Sequence, residues 1–376
     1  MRRFLYFLYE NFDADALPPG ADNPRSLLNS RIDMVLSAVA DRPPYSCLYD
    51  ELCSEYSEGT VNELISAGIF RRVNEKILFE SPIFLGEDVP LLQSFFKEKA
   101  VFLASLLAPH KQKFFAFAET IRNGFSSTRN LYHILCSKIF DGSFFDILSE
   151  RHVLASSRQR DSGLDYLVIL YKNCPELNLF SNRLLCSCNR FTDGNCSLES
   201  FGDADGNRLD FYRFFRMRET TFPLPQEFQA LQNVWSRLYG ERFGEFKKDF
   251  LLEVQKLAET GSCDLRCMKL LEAFGYANGG KLCVPVFRGK DRLAIQKIEE
   301  LAESLLAEPV SQILRSFGKM PGLSCCRHGV SPKQTSNEAY HILFGMLNEE
   351  MALQGFVDTP SKKPGEGRYL RAIEIP

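Results

Sequence analysis

No apolar run in this 376-residue chain approaches the roughly 18 to 20 residues that a membrane-spanning helix needs, so no membrane partner is expected. An excess of one charge is missing too. With 45 Lys and Arg against 48 Asp and Glu, a net charge of −3 excludes a uniformly basic nucleic-acid coat and leaves only local basic patches open. Gly 24 and Pro 18 exclude a collagen-like or low-complexity chain, and 45% hydrophobic with 25% charged residues excludes a disordered one. Common enzyme signatures are absent: there is no G-x-x-x-x-G-K-[ST] phosphate loop, no G-x-G-x-x-G after a strand, no G-x-S-x-G elbow and no H-E-x-x-H helix. No residue earns a catalytic role, and the expectation is a protein that is not an enzyme.

What the chain does have is 32 Phe and 12 Cys. A chain this long buries a full apolar core and does not need disulfides, so reduced, mostly buried thiols and a cytoplasmic location are expected. The start, from Met1-Arg2-Arg3 to Tyr9-Glu10, imitates a secretory leader. Glu10, Asp13 and Asp15 cut its apolar run below the roughly 7 to 15 residues of a leader, so it reads as a strand or helix of the folded protein. Cys174, Cys186, Cys188 and Cys196 are spaced C-x11-C-x-C-x7-C and could close a tetrahedral zinc site. The usual C-x2-C knuckles are absent, so ordinary thiols and no cofactor are the favoured reading, with zinc the lesser one.

Repeats decide the layout. Pro82-Ile-Phe-Leu-Gly-Glu-Asp88 reappears as Pro285-Val-Phe-Arg-Gly-Lys-Asp291, Tyr132-His-Ile-Leu135 as Tyr340-His-Ile-Leu343, and Tyr166-Leu167 as Tyr369-Leu370. Three matches in one order at a nearly constant offset of about 200 residues point to an internal duplication. The expected parts are an N-terminal extension at 1–25, a first copy at 26–172, a unique Cys-containing connector at 173–223 and a second copy at 224–376.

Within the first copy, helical spacing covers Ser26 to Ala40, Leu48 to Glu55 and Glu58 to Ala67, the last capped by Ser57. Ile69-Phe70 and Ile77-Leu78-Phe79 then flank a polar stretch and read as a hairpin. Met268 to Phe274 and Lys281 to Val286 repeat this ending. Asp88 and Asp291 stand where N-caps of two long amphipathic helices belong. A second module follows in each copy. Helix Arg129 to Phe140 precedes strand-like runs at His152-Val-Leu154 and Tyr166 to Tyr171, and helix Glu338 to Gln354 precedes Phe356-Val357 and Arg368 to Ile375.

Helices followed by a two-stranded loop resemble tandem winged helix-turn-helix proteins, at the level of fold alone. The expected class is mainly α with small β-hairpins, α+β, with duplicated tandem winged-helix-like modules in each copy. The resemblance implies DNA as a partner. Arg129, Asn130, His133 and Lys138 lie on one second-module helix, and Lys333, Gln334, Asn337 and His341 on the related stretch. Arg158 and Arg160, with Lys362, Lys363, Arg368 and Arg371, occupy the loops that would be wings. Basic wings on phosphates and Asn or Arg near base edges would make a transcriptional regulator acting as a built-in pseudo-dimer. The alternative is an interaction subunit that uses the same folds to hold protein partners, favoured by acidic Glu58 and Glu63 in the first module and by the carboxylates diluting both wings. The strip Asp210 to Arg218 reads as an edge strand with core-facing aromatics.

Overall fold

The computed structural model describes residues 4–10, 30–155, 166–181, 183–204, 208–212, 214, 243–362 and 367–376. The opening run is a strand, β1 (Phe4–Glu10). Three helices follow among the described residues, α1 (Ser30–Ala40), α2 (Tyr49–Tyr56) and α3 (Glu58–Ser66). On α1 the residues at helical spacing, Ile32, Val35, Leu36 and Val39, are all buried. Ser57 caps α3 by accepting from the Thr60 N–H at 3.4 Å. The expected hairpin forms from β2 (Phe70–Val73) and β3 (Lys76–Phe79). Leu48 adds a single bridge to Lys76, with Ile77 N donating to Cys47 O at 2.9 Å and Tyr49 N to Glu75 O at 2.8 Å.

Next come β4 (Ile83–Phe84), one 3-10 turn at Gly86–Asp88, α4 (Val89–Leu107), α5 (Lys111–Glu119) and α6 (Ser127–Leu131). The chain continues from α6 through wider π-type turns, Tyr132–Ser143, into α7 (Phe144–Glu150). After β5 (Tyr166–Lys172) and α8 (Pro175–Ser181), the hairpin of β6 (Leu185–Asp193) and β7 (Cys196–Asp203) occupies the stretch expected as a connector. Then follow α9 (Phe243–Thr260), α10 (Leu265–Ala273), β8 (Ala277–Asn278), β9 (Lys281–Leu282) and β10 (Val286–Phe287). A further 3-10 turn at Gly289–Asp291 leads into α11 (Arg292–Phe317), α12 (Ser324–Arg327), α13 (Pro332–Leu353) and β11 (Tyr369–Glu374).

The α+β class is as expected, but three local expectations need correction. Asp88 and Asp291 do not cap forward. Each accepts from the main-chain N–H three residues upstream, Leu85 at 2.7 Å and Arg288 at 2.8 Å, and so locks the turn that precedes the helix. Helix α13 starts at Pro332, which places Lys333 to Asn337 inside it; proline's missing N–H costs nothing at a first helical position. The strand-like runs at 166–171 and 368–375 are not paired with 152–154 and 356–357. β5 lies antiparallel to β1 and parallel to β4, and β11 lies antiparallel to β7 and parallel to β10. Long apolar strands gain more by entering a sheet covered by helices than by flanking a loop.

The chain divides into two compact units. The first comprises Met1–Leu103, Phe144–Ser181 and Leu306–Leu343, and the second Ala104–Ser143, Asn182–Leu305 and Phe344–Pro376. Each therefore draws on both stretches read as copies. The first unit holds the sheet β1-β5-β4, where Phe84 stacks on Tyr171 with ring centroids 5.1 Å apart. The second holds the sheet β10-β11-β7-β6 over a core that includes Phe191, Phe250, Phe274 and Tyr276. Phe211 and Phe214 enter that core from helical backbone, not from an edge strand, and Phe211 stacks on Phe274 at 4.1 Å. Each such ring fully buried contributes about 1.5 to 3 kcal/mol.

Candidate functional site

Most of the described candidate residues of the second unit converge on one sheet. Ser126 starts α6 by accepting from the Arg129 N–H at 3.1 Å. The helix then widens and breaks at Asp141 (φ −94, ψ 27) and Gly142 (φ −151, ψ −107). Widened turns of this kind change which side chains share a face. Here they bring Tyr132, His133 and Ser137 against β6 and β7, where Tyr132 Oη donates to Phe201 O at 3.0 Å.

His133 is fully buried, and its Nδ1 lies 3.0 Å from Glu199 Oε1. Arg190 reaches the other oxygen of Glu199 at 3.5 Å and donates to Ser137 O at 3.0 Å. Cys188 Sγ sits 3.1 Å from Ser137 Oγ. Lys138 is ion-paired with Glu374. Burial pushes the His133 pKa down, and the Glu199 hydrogen bond only partly opposes it. Burial alone would raise Glu199, but the His133 hydrogen bond and the Arg190 charge hold it at about 2. Asp141 is pushed up to about 8 by burial, against the attraction of Arg190. The arrangement is a neutral imidazole on a carboxylate whose charge Arg190 offsets. With His133 at 0% and Glu199 at 6% exposure, this pair braces the helix on the sheet.

The other candidates are similarly engaged. Arg368 holds Asp203 through Nε at 3.0 Å and Nη2 at 2.8 Å, and Glu349 through Nη1 at 3.0 Å. Arg371 is buried and donates to Leu209 O and Tyr369 Oη, both at 2.9 Å. Arg129 donates to Arg371 O at 3.1 Å, and Asn130, also buried, accepts from Asn123 Nδ2 at 2.8 Å.

In the first unit, Gln334 and Asn337 are buried, and Asn337 pairs with both main-chain groups of Ala155 at 2.9 and 3.1 Å. His341 Nδ1 lies 3.2 Å from Asn337 O, and burial pushes its pKa down to about 4. Lys333 and Lys362 alone among the described candidates are exposed. Arg158, Arg160 and Lys363 lie outside the described residues.

None of the twelve cysteines forms a disulfide. Cys186 and Cys196 are buried on β6 and β7, Cys188 and Cys174 are half-buried, and no metal-holding group of His, Cys, Asp or Glu occurs among the described residues. Sequence reasoning missed Glu199, Arg190 and Asp203. The signal that could have placed them is Asp193-Gly194, a hairpin turn whose Gly194 has φ 56.

One outward face stands apart from this internal framework. On α3 the solvent positions are Glu58, Gly59, Asn62, Glu63 and Ser66, and on α2 they include Asp50, Glu51 and Glu55. Among the described residues, Arg42, at 3.4 Å from Glu51 and 3.7 Å from Glu55, offsets part of this charge. Compared with known protein families, curated proteins and solved structures, the chain matches none.

Proposed function

We propose that this protein is an interaction subunit that uses winged-helix-like modules to hold protein partners. The acidic outward face of α3 carries the reading. In a winged-helix DNA reader this helix would enter the groove, yet Glu58 and Glu63 put negative charge where phosphates would stand. The single bridge of Leu48 to the β2-β3 hairpin, in the order helix, bridge, two helices, hairpin, supports the winged-helix character of the module.

Internal duplication belongs to the same reading. In both halves a proline carbonyl, Pro82 or Pro285, accepts from the last strand at 2.9 Å, and an aspartate locks the following turn. Those shared details support two copies that have kept a strand, turn and helix junction.

Nucleic-acid binding, with a role in DNA regulation, is the second reading. It is favoured by Arg266 and Lys269 on the solvent side of α10 and by exposed Lys333 and Lys362. Titrating labelled random duplex DNA at increasing salt separates the two. Docking predicts no binding beyond the weak non-specific range. A log-log salt slope of several units, reduced by about 0.9 for each phosphate contact removed in Lys333→Glu or Lys362→Glu, would reinstate the DNA reading.

A further inference from the structure

Beside the second hairpin of the second unit lies a cleft of about 250 Å³. Its walls include Phe125, Leu257, Leu282 and Val284, and its rim carries Lys281 and Arg288. The volume is below the roughly 300 to 1,000 Å³ of a typical small-molecule pocket, and suits one or two protein side chains.

The charges at the rim are unbalanced. Arg288 donates to two neutral acceptors, Ala258 O at 2.9 Å and Val286 O at 3.5 Å, and makes no ion pair among the described residues. Lys281 is exposed on the hairpin and likewise has no ion pair among them. The Glu272 carboxylate, which accepts from the Gly280 N–H at 2.9 Å, sets one negative charge against these two cations. Two cations around an apolar floor favour a ligand that supplies carboxylates at its edge and an apolar group at its centre.

We propose that this cleft docks a partner segment bearing a large apolar side chain flanked by carboxylates. The proposal rests on the protein-docking reading and names a site that reading does not. A phosphodiester strand would satisfy the cations but leave four apolar walls uncovered, so a peptide fits the floor better.

The test uses the full chain and two fluorescein-labelled peptides of equal length, one alternating Phe and Leu with Glu and Asp, the other with Lys and Arg in the acidic positions. Fluorescence polarisation is expected to show saturable binding of the acidic peptide, weakened about tenfold by Lys281→Glu and preserved by Lys281→Arg. Lys281 is solvent-exposed, so neither change threatens folding. Absence of acidic-peptide binding, or binding indifferent to Lys281→Glu, overturns the cleft. If the basic peptide binds instead, the cleft fails while protein docking stands. If only labelled DNA binds, and loses affinity in Lys281→Glu, both readings fail.

Discussion

Glu199 was invisible as a site residue because it lies in a run with no motif, and its importance comes from what surrounds it. Its carboxylate joins His133 on a helix to Arg190 on the neighbouring strand. Replacing it by Gln keeps an acceptor for His133 and removes the charge facing Arg190, whose guanidinium is partly in water, at a cost of about 1 kcal/mol. The sign of the pH dependence follows from its depressed pKa. The unfolded value is near 4.5 and the folded one about 2, so Glu199 contributes stability above pH 4.5 that disappears as pH falls through 2. Thermal unfolding at pH 7 and pH 3 should show Glu199→Gln losing less than the parent protein on acidification; parallel losses would remove the ion cluster from the account. The same residue-scale lesson covers Asn130, Asn337 and Arg371. Their types suit base or phosphate contact equally well as internal hydrogen bonding, and only their burial separates the two.

At the scale of elements, amphipathic helices α1 to α3 and the first hairpin were readable from spacing, a cap and a polar loop, all of which act over a few residues. The destinations of β5 and β11 were not, because an apolar strand carries no label for its partner. Close approach at one point fixes the pairing of β7 with β11. A Cβ added to Gly202 would stand 2.0 Å from Arg368 O and 2.5 Å from Tyr369 Cβ. Gly202→Ala must therefore push these strands apart, and is expected to lower the thermal midpoint by about 4 °C or more. An unchanged midpoint would mean that the strands are held by less than their ladder implies.

Across the whole molecule, the compact units do not follow the linear order of the chain. The first unit takes β1 and Leu306–Leu343 as well as much of 26–172, the stretch read as a first copy, while Ala104–Ser143 from that stretch belongs to the second unit. A fragment of residues 26–172 lacks β1, the antiparallel partner of β5, and lacks the 306–343 segment. Expressed alone it should lose its near-ultraviolet circular dichroism and unfold without cooperativity; a sharp transition matching that of the intact chain would refute the interleaved organisation. Composition, periodicity and repeats by themselves determined the α+β class, an ordered element rather than a leader at the start, the first helices with their hairpin, and the recurrence of the Pro82 and Pro285 segments. Tertiary structure alone decided that β6 and β7 complete a sheet and that the polar residues of α6 and its widened continuation turn inward. The reason is range. Caps, turns and helical faces depend on neighbours a few residues apart, whereas the partner of a strand such as β11 or of a buried charge is chosen by packing between segments that can lie far apart in the chain, as in Arg371 with Leu209.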